Sequence, residues 1–536
     1  MWLDELIDRL RDPLAYPTPA AARVDVVQTH ASVVFLAGDT AWKVKKPVNL
    51  GFLDFSTLER RHADCEREIA LNRRMVDGVY RGIAAAVHPA GDPQALRVVR
   101  TPAPDDTVVE WMVEMRRLPA DGMLDRLISA GGVTPAHLRD FALRLAAFHA
   151  RADAGPDVSR HGAIAVVRDR QHDCLTRLAA NATRPSRGHP APLDADFVAV
   201  IDRAARAWLD RLAPALERRR AEGRVRDGHG DLQAANACMV DGRIEAYDCL
   251  EFMDAYRCAD VAMDPSFLAM DLDRFGRPDL ANAFLHAYAD AAADPGSRGL
   301  FGFFRMHYAV VRAMTESIRL HQPETPSGEL AAIADKVRAY ALLAAGYAAE
   351  PSTVILMGLP ATGKSTLAAH LARAMRARVA SSDVVRKAMH GLAPTERAGE
   401  AAYARASTDA VYGELARIVA ASHESVIVDA SNRTHAQRAP LLAAAAARGA
   451  PFVLIEIDAG RATIESRMAR RAADPSRVSD ADLRMHDRLR AEREAPDEVP
   501  AAGRMQLEGD DRPGRLDDAA CRVLSRLLGA PPTGPR

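Results

Sequence analysis

The sequence contains few cysteines, aromatic residues and lysines, and it has no long apolar segment. Its six cysteines form no C-x-x-C pair, so neither a structural zinc site nor a disulfide framework is expected. Aromatic residues make up 5% of the chain and do not alternate with basic residues, which argues against a base-stacking surface for nucleic acid. No apolar run approaches the roughly 20 residues that a membrane helix needs.

The charges are nearly balanced, with a formal net charge of −1. This balance removes the electrostatic case for a general binder of nucleic acid or of membrane surfaces. The first residues, MWLDELIDRLRDPLAYP, carry acidic side chains where a signal peptide has a basic segment followed by an apolar one. We therefore expect a cytoplasmic protein without a membrane partner.

Lysine is rare enough to be informative, because only six of the 71 basic residues are lysine. A chain that uses arginine for most surface charges is expected to keep lysine where a compact ammonium group is needed. Three of the lysines, at positions 43, 45 and 46, lie within four residues of one another. Lys364 and Lys387 lie in two further motifs, described below.

The 536 residues are enough for two to four domains, and the sequence pattern changes near residue 347. Residues 1–118 are predicted to be rich in strands, with one long helix over Ser56–Val76. Residues 119–347 are predicted to be mainly helical, apart from a short strand-rich insert. A small strand-rich lobe followed by a larger helical lobe is typical of a protein-kinase-like, bilobal α+β fold.

Residues 348–536 are predicted to form a second domain of the α/β class. Short apolar strands such as STVILMG and SVIVDA alternate there with helical segments. This alternation predicts a parallel sheet with both faces covered by helices. The expected domains are therefore 1–347, with lobes 1–118 and 119–347, and 348–536.

The second domain carries GLPATGKS at residues 358–365, which fits the motif G-x-x-x-x-G-K-[ST]. The motif follows an apolar strand and begins a helix, so it predicts a phosphate-binding loop and a P-loop NTPase fold. Lys364 is expected to reach the β- and γ-phosphates of ATP, and Ser365 to ligate Mg²⁺. The predicted ATP-binding residues of this loop are Gly358, Leu359, Pro360, Ala361, Thr362, Gly363, Lys364, Ser365 and Thr366.

Two aspartates follow the next strands of this domain, Asp383 in SSDVVRK and Asp429 in SVIVDASN. Because ligands bind at the carboxyl ends of strands in such sheets, both aspartates are expected to face the phosphate loop. We assign Asp383 as the catalytic base or orienter of an acceptor hydroxyl, a role compatible with capping a helix. Asp429 is assigned to the magnesium site, and Arg386 to acceptor binding.

A basic segment at residues 465–483 suits a lid whose arginines close over the transferring phosphate. The candidate ATP-binding arginines are Arg467 and either Arg470 or Arg471. Over residues 351 to about 495, GLPATGKST, SSD..R and VDASN resemble the motifs of small P-loop kinases. This group includes gluconate kinase, polynucleotide 5′-kinase and the zeta toxins, and the motifs do not select among their acceptors.

The first domain carries a second phosphotransferase pattern, GHGDLQAANACMV followed by IEAYDCLEF. Phosphoryl transfer needs an acidic group at the acceptor oxygen and oxygen ligands for Mg²⁺ nearby. Asp231 is the predicted catalytic base, and Asn236 and Asp248 are the predicted metal ligands. The pattern resembles the HGDxxxxN loop and later aspartate of the aminoglycoside phosphotransferase (choline-kinase-like) family, which implies that His229 supports the loop.

The strand TAWKVKKP is expected to supply the ATP-binding lysine of this first domain. Lys43 occupies the place of the kinase lysine, and Lys45, on the same strand face, is the alternative. In the following helix Glu68 is expected to pair with this lysine, in preference to Glu66. Residues 115–119, MRRLP, are the predicted hinge for adenine, whereas the nucleotide-covering segment THASVVFL lacks the glycines found in protein kinases.

The whole chain resembles bacterial proteins that fuse an aminoglycoside-phosphotransferase-like domain to a P-loop kinase-like domain. The segments THASVVFLAGDTAWKVKKPVNLGFLDFSTLERR and DCLEFMDAYRCADVAMDPSFLAMDLD carry this likeness. The resemblance implies ATP and Mg²⁺ as cofactors. The predicted function is transfer of the γ-phosphate of ATP, by both domains, to hydroxyl groups of small molecules.

The alternative prediction is a polynucleotide or nucleotide-sugar kinase in the P-loop domain, regulated by an N-terminal pseudokinase. Retention of the predicted lysine, base and metal ligands argues against a pseudokinase, whereas the missing glycines favour it. The near-neutral net charge argues against a nucleic-acid 5′ end as the acceptor, without excluding it.

Overall fold

The computed structural model describes residues 3–17, 23–29, 31–49, 53–349, 351–393, 395–472, 483–512 and 514–529, without the side chains of residues 400, 471 and 472. The chain divides into two compact units. The first comprises Met1–Val167 and Leu212–Phe304, and the second comprises Arg168–Arg211 and Arg305–Arg536.

An antiparallel six-stranded sheet forms the N-terminal part of the first unit. Its strands are β1 (Val24–Gln28), β2 (Ser32–Ala37), β3 (Thr40–Lys45), β4 (Tyr80–His88), β5 (Arg97–Val99) and β6 (Thr107–Arg116), in the order β1-β2-β3-β6-β4-β5. Helix α1 (Leu3–Arg9) precedes the sheet, and helix α2 (Leu58–Asn72) packs against β4 and β6.

The sheet has an apolar core on each face because its residues alternate in direction. Trp42 and Val44 of β3 join the core that includes Leu6 and Leu10 near α1. Ala41 belongs to the opposite core, which includes residues of α2. Lys43 and Lys45 share the face of Ala41, so this alternation directs both lysines toward α2.

The remaining structure preceding residue 320 is mainly helical, with two short antiparallel ribbons. The helices are α3 (Leu124–Ser129), α4 (Pro135–Arg151), α5 (Pro156–Ser159), α6 (Ile164–Ala182), α7 (Ala195–Ala221), α8 (Asp254–Arg257), α9 (Met263–Arg274), α10 (Pro278–Ala291) and α11 (Phe301–Arg319). The ribbons pair β7 (Val225–Asp227) with β10 (Cys258–Asp260), and β8 (Ala237–Val240) with β9 (Arg243–Ala246). The divisions between the two units fall within α6, α7 and α11.

A parallel five-stranded sheet organises the second unit, in the order β12-β13-β11-β14-β15. Its elements are α12 (Leu330–Ala348), β11 (Thr353–Met357), α13 (Lys364–Met375), β12 (Arg378–Ser381), α14 (Ser382–Met389), α15 (Arg405–Ala421), β13 (Val426–Asp429), α16 (His435–Ala447), β14 (Phe452–Asp458), α17 (Arg461–Ala472), α18 (Leu483–Ala491), β15 (Arg504–Glu508) and α19 (Arg515–Gly529). Strand β11 is buried along its whole length, as expected for a central parallel strand.

The predicted fold class is confirmed: a kinase-like α+β arrangement precedes a P-loop α/β fold with a parallel sheet. The helix predicted over Ser56–Val76 spans only Leu58–Asn72, and the Thr57 hydroxyl caps its start by accepting the Arg60 N–H. The domain boundary predicted near residue 347 lies at the end of α12 and remains a prediction. In the described part of the chain, no helix combines the length and apolar character needed to cross a membrane.

Candidate active sites

Lys43 on β3 lies between two carboxylates that belong to distant parts of the first unit. Its ammonium nitrogen lies 2.9 Å from Glu68 Oε1 and 2.7 Å from Asp248 Oδ1. Burial lowers the pKa of Lys43, but the negative charges of Asp248, Glu68 and Glu251 outweigh burial and raise it well above its ordinary value. The structure thus brings together a charged lysine and two residues that the sequence assigns to the same site. Glu66, the less favoured partner, is exposed.

Lys45, the alternative ATP-binding lysine, lies in a different environment on the same strand face. Its side chain is 1% exposed, against 13% for Lys43. Its ammonium nitrogen lies 2.7 Å from Asp64 Oδ2, 2.5 Å from Glu68 Oε2 and 2.5 Å from Glu251 Oε1. Three carboxylates therefore surround the Lys45 ammonium, and its hydrogen bond goes to Glu251, which leaves Lys43 as the better placed residue for a nucleotide.

The segment HGDLQAAN folds into a loop that places Asp231 beside Asn236. The Asn236 amide donates to Asp231 Oδ2 at 2.7 Å, and the Gln233 amide donates to both carboxylate oxygens at 3.1 and 3.0 Å. His229 Nδ1 accepts the Asp231 N–H at 3.3 Å. Burial lowers the pKa of His229, although nearby Asp264 and Asp248 oppose this shift. The His229 ring thus contacts the backbone of Asp231, and the supporting role that the family resemblance implies remains a prediction.

Asp264 of α9 anchors this loop through backbone hydrogen bonds. Its carboxylate accepts the N–H groups of His229 and Gly230, at 2.7 and 2.9 Å, and contacts His149 Nε2 at 3.0 Å. Burial raises the pKa of Asp264, but the hydrogen bond and charge of His149 outweigh it, and the pKa falls to about 2. Asp264 is therefore an ionised, buried anchor whose partners fix the loop that carries Asp231.

Asp248 has a left-handed backbone, with φ of 60°, and two neighbours hold that conformation. Its N–H donates to the Tyr80 hydroxyl at 3.1 Å, and the next N–H, of Cys249, donates to Asn72 Oδ1 at 2.9 Å. The Tyr247 N–H also donates to the Asn236 carbonyl at 2.9 Å, which places the two predicted metal ligands on adjacent backbone segments. Strained backbone at a functional position is common where the surroundings hold it.

The donor set near Asp248 fits a magnesium ion. Oδ1 of Asp248 contacts Lys43, and the Asn236 amide nitrogen is bound to Asp231. Within the described residues, no hydrogen bond is formed by Asp248 Oδ2 or by the Asn236 amide oxygen. Carboxylate and amide oxygens are the ligands that Mg²⁺ prefers, so these two oxygens have the right chemistry for the predicted role.

In the segment expected to cover the nucleotide, hydrogen bonds join the residue after β1 to the first residue of β2. The Thr29 N–H donates to the Ser32 carbonyl at 2.9 Å, and the Ser32 N–H donates to Thr29 Oγ1 at 3.0 Å. These two amides are consequently engaged with each other's residues. In the predicted hinge, the N–H groups of Arg116 and Arg117 likewise donate to protein carbonyls at 2.8 Å.

In the second unit, the predicted phosphate loop connects β11 directly to α13. Gly363 has φ of 102°, in the left-handed region that favours glycine, and it ends the loop where α13 begins. The Thr362 hydroxyl and the Lys364 ammonium donate to the Leu359 carbonyl at 2.9 and 2.8 Å. The loop thus wraps around the Lys364 side chain at the carboxyl edge of the sheet.

Strand register brings the two predicted aspartates of this unit to the same edge. Asp429, the last residue of β13, pairs in register with Leu356 of β11 and with Ser381 of β12, and Asp383 follows in the first turn of α14. Asp429 is 8% exposed, and its carboxylate forms no hydrogen bond within the described part of the chain. An ionisable oxygen group in that position fits a magnesium ion bound through water, near the exposed Ser365 at the start of α13.

One cavity of about 370 Å³ collects most of the predicted side chains of the second unit. Lys364, Ser365, Asp383, Arg386 and Asp429 all line it. Hydroxyl-bearing residues add further hydrogen-bonding groups, namely Ser381, Ser382, Tyr403, Thr408, Tyr412 and Ser431. The cavity therefore contains a lysine, two aspartates and an arginine around a polar space next to the phosphate loop.

Arg386 lies on the buried side of this cavity. Its Nη1 donates to the Ala402 carbonyl at 2.6 Å, and its guanidinium lies 4.8 Å from the centre of the Tyr403 ring. Its Nε has no hydrogen-bond partner among the described residues. An acceptor-binding role for Arg386 therefore remains a prediction with a suitable location.

Arg467 is not among the residues that line this cavity. It contacts Asp511 through Nη2 at 2.6 Å and donates through Nη1 to the Ala361 carbonyl of the phosphate loop at 3.1 Å. Arg470 lies 3.6 Å from Asp511, and the side chain of Arg471 lies outside the described residues. Arg488 of α18 is instead the lid-side arginine that lines the cavity.

Sequence reasoning missed Asp264, His149, Gln233, Glu251 and Arg488. Asp264 and His149 contact each other across 115 positions, which a local motif does not contain. Gln233 lies inside the HGDLQAAN motif, two residues after Asp231. Arg488 lies in an arginine-rich helix, in which spacing alone does not distinguish one arginine from another. Glu251 carried a usable signal, because it follows Asp248 by three residues in the motif DCLEF.

A family model described as an AAA domain (AAA_33) matches residues 354–496. The uncharacterized protein Rv2004c of Mycobacterium tuberculosis (strain ATCC 25618 / H37Rv) is 36% identical over 425 residues, which cover 77% of this chain and 80% of that protein. A solved gluconokinase from Sinorhizobium meliloti 1021 is 18% identical, covers 33% of this chain and 94% of its own, and has a TM-score of 0.25. A solved choline/ethanolamine kinase family protein from Mesorhizobium loti is 15% identical and has a TM-score of 0.36. The match covers 62% of this chain and 93% of that protein's chain.

Proposed function

The chain belongs to the family of the Mycobacterium tuberculosis protein Rv2004c, and we propose that it is an ATP-dependent phosphotransferase with two nucleotide sites. Each site transfers the γ-phosphate of ATP to a hydroxyl group of a small molecule. The observation that carries this proposal is the convergence of Lys364, Ser365, Asp383, Arg386 and Asp429 on one polar cavity.

In the second unit, Asp383 accepts the proton of the acceptor hydroxyl as its oxygen bonds to the γ-phosphorus. The bond from that phosphorus to the β–γ bridging oxygen breaks, and ADP leaves with the electron pair. Lys364 and the N-terminus of α13 stabilise the negative charge on the phosphates. Bound Mg²⁺, held by Ser365 and through water by Asp429, would neutralise the phosphate oxygens.

In the first unit, Asp231 is the proposed base and Lys43 the proposed phosphate-binding residue. Asn236 supports Asp231 through its amide nitrogen and offers its amide oxygen, together with Asp248, to Mg²⁺. Glu68 holds the Lys43 ammonium in place at 2.9 Å. The four polar functions that phosphoryl transfer needs are therefore all represented in this unit.

The size and lining of the second-unit cavity support a small, hydroxyl-bearing acceptor. Its volume of about 370 Å³ suits one small molecule beside the phosphate loop. Seven hydroxyl side chains, that of Ser365 included, and Gln437 line it, which favours an acceptor with several hydrogen-bonding groups. Arg386 is the proposed contact for that acceptor.

The test is ATP consumption by the full-length protein across a panel of sugars, amino sugars, nucleosides and oligonucleotides, with Mg²⁺ present. A stimulating acceptor should lose its effect in the Lys364→Ala variant if it uses the second unit. Lys336→Ala is the matched control, because Lys336 is exposed on α12. Stimulation that is unchanged in Lys364→Ala and lost in Lys43→Met assigns the acceptor to the first unit; stimulation unchanged in both variants contradicts the proposal.

A regulatory nucleotide-binding role is the second candidate for the first unit. The N–H groups of Thr29 and Ser32 are used in hydrogen bonds between these two residues, which favours weaker coverage of the phosphates than a glycine-rich loop provides. Asp231→Asn distinguishes the two roles under single-turnover conditions. A working site loses phosphate transfer in this variant, whereas a regulatory site binds nucleotide as before and loses no rate.

A further inference from the structure

Lys45 is the centre of a buried charge cluster that the proposed reaction does not use directly. Asp64, Glu68 and Glu251 place carboxylate oxygens within 4.8 Å of one another, a spacing that suits a metal ion. The Lys45 ammonium lies among them, at 2.5 to 2.7 Å from each. The ammonium donates a hydrogen bond to Glu251 Oε1 and forms close ion pairs with Asp64 and Glu68, whose contacting oxygens have no hydrogen-bond partner among the described residues. The cluster is therefore occupied by a lysine, and this one cation faces three carboxylates.

Such a cluster is costly to bury, since all four charged groups lose contact with water. Lys45 is 1% exposed and its three partners are at most 10% exposed. Buried ionic clusters contribute little net stability compared with apolar packing, and their best-attested use is to fix one arrangement of the elements that carry them.

Lys45 connects three elements that meet at the proposed nucleotide site. It lies at the end of β3, Asp64 and Glu68 lie one turn apart on α2, and Glu251 follows Asp248 by three residues on the metal-binding loop. Glu68 uses Oε1 for Lys43 and Oε2 for Lys45, so one carboxylate is fixed by both lysines. The next residue before Glu251, Leu250, also donates its N–H to the His229 carbonyl at 3.0 Å.

We propose that Lys45 is a positioning residue which, through Glu251, holds the Asp248 loop in the conformation that binds magnesium and nucleotide. This inference rests on the proposed function of the first unit. Lys43 contacts the phosphates in this arrangement, and Lys45 acts only through the loop. Without the Lys45–Glu251 contact, the left-handed backbone of Asp248 loses a tether three residues away, and its carboxylate no longer has a single orientation.

The test is the magnesium dependence of nucleotide binding by the full-length Lys364→Ala protein. In this variant the second unit is expected to bind no nucleotide, so the first unit is measured alone. A non-hydrolysable ATP analogue is titrated at a series of Mg²⁺ concentrations. Glu251→Gln keeps the shape of the side chain but removes its charge. We expect the Mg²⁺ concentration for half-maximal binding to rise about tenfold, as is typical when a residue that orients a metal ligand is changed.

The matched control is Glu110→Gln in the same background. Glu110 is also buried and is bound to Arg61 at 2.9 Å, but it does not contact the Lys45 cluster. We expect it to lower the thermal midpoint as Glu251→Gln does, while leaving the Mg²⁺ requirement unchanged. A merely structural role for Glu251 predicts equal Mg²⁺ dependence in both variants, and that result would overturn the proposal.

Lys45→Arg gives a second measurement should Glu251→Gln not fold. Arginine keeps the positive charge, but its planar guanidinium does not fit among three carboxylates as a compact ammonium does. The same rise in the Mg²⁺ requirement is expected, and an unchanged requirement contradicts the proposal. The proposed function of the first unit fails instead under either of two results. The Lys364→Ala protein binds no nucleotide, or it binds nucleotide equally well after Lys43→Met is added.

Discussion

Lys43 and Lys45 are two residues apart on one strand face, yet they differ in their exposure and in their carboxylate neighbours. Lys43 retains exposed surface beside Asp248, whereas carboxylates enclose Lys45. The sequence leaves both lysines open as phosphate-binding residues, because the residue that distinguishes them, Glu251, lies 206 positions away from Lys45. Only the folded chain shows which ammonium group has space for a ligand.

Asp383 tests the proposed chemistry of the second unit at the level of one residue. Asp383→Asn keeps the shape of the side chain but removes the group that accepts the hydroxyl proton. We expect phosphate transfer to fall roughly 10²-fold or more. Calorimetry should show nearly unchanged ATP affinity, because Lys364 and the loop amides remain.

Asp409→Asn is the control for this substitution, since Asp409 is exposed on α15. A loss of ATP affinity in Asp383→Asn that accounts for the loss of transfer would assign Asp383 to the metal site. Asp429 would then be the better candidate for the base.

Asp264 provides a second prediction at the residue scale, through its pKa of about 2. A carboxyl group with a pKa below its unfolded value of about 4 stabilises the fold above pH 4, and this contribution is lost as the pH falls toward 2. Asp264→Asn should therefore destabilise the first unit by about 3 kcal/mol at pH 7. The difference from the wild type should shrink as the pH is lowered through that window.

Chemical denaturation between pH 7 and pH 2.5 measures this difference. Asp290→Asn is the control, because Asp290 forms an exposed ion pair with Arg298 and should change stability by less than about 1 kcal/mol. A constant difference between wild type and Asp264→Asn over the whole range would show that the charge of Asp264 is not what anchors the loop.

At the scale of secondary-structure elements, local motifs predicted the strand, loop and helix that they contain, but not the contacts between distant residues. The segment STVILMGLPATGKSTLAAH specified its own strand, loop and helix, because burial pattern, glycines and helix start all lie within it. The lid arginines were predicted from composition, and the structure places Arg467 on the Ala361 carbonyl and Arg488 at the cavity. Which arginine faces a ligand depends on the packing of α17 and α18, which a local pattern does not encode.

The contact between α12 and α13 depends on a glycine, and it gives an element-scale prediction. A Cβ atom at Gly346 would overlap the Ala374 carbonyl oxygen of α13. Gly346→Ala should force the two helices apart and destabilise the second unit by about 1–3 kcal/mol, as overpacking does. Thermal unfolding of the full-length protein measures the shift.

Gly413→Ala is the matched substitution with the opposite expected sign. Gly413 is exposed in α15, and its Cβ position has no heavy atom within 4 Å. Alanine there should stabilise the helix by up to about 1 kcal/mol. If both variants shift the midpoint in the same direction, the close approach of α12 to α13 is not what Gly346 provides.

His307 on α11 makes the stability of the second unit depend on pH. Burial lowers its pKa to about 4 from the ordinary 6.5, with a smaller contribution from the positive charge of Arg170. Because the unfolded chain binds this proton more readily, stability is full above pH 6.5 and is lost progressively as the pH falls to about 4. His307 Nδ1 lies 3.0 Å from Gln171 Oε1, and the amide of His307→Gln can replace this hydrogen bond.

His307→Gln should therefore flatten the decline of the thermal midpoint between pH 6.5 and 4. His286→Gln is the comparison variant, because His286 is an exposed histidine on α10 and does not take part in the contact between His307 and Gln171. An identical decline in wild type and His307→Gln would assign the acid sensitivity to other groups.

At the scale of the whole molecule, the chain contains two sets of residues for the same chemistry in two unrelated folds. In the proposed function, each set comprises a lysine for phosphates, an aspartate as base and oxygen ligands for Mg²⁺. In the first unit these groups come from an antiparallel sheet and a helical loop, and in the second from the edge of a parallel sheet. Two complete sets favour two working sites over one site with a structural appendage, and the stoichiometry of nucleotide binding tests this.

The full-length protein should bind two molecules of a non-hydrolysable ATP analogue in the presence of Mg²⁺. Lys43→Met and Lys364→Ala should each reduce the stoichiometry to one, because each removes the cation that contacts the phosphates of one site. The double variant should bind none, and Lys336→Met, on an exposed face of α12, should still bind two. Isothermal titration calorimetry provides the counts, and circular dichroism shows whether each variant remains folded. A wild-type stoichiometry of one that Lys43→Met leaves unchanged would restrict nucleotide binding to the second unit, and Asp231 and Asp248 would then have no phosphate to act on.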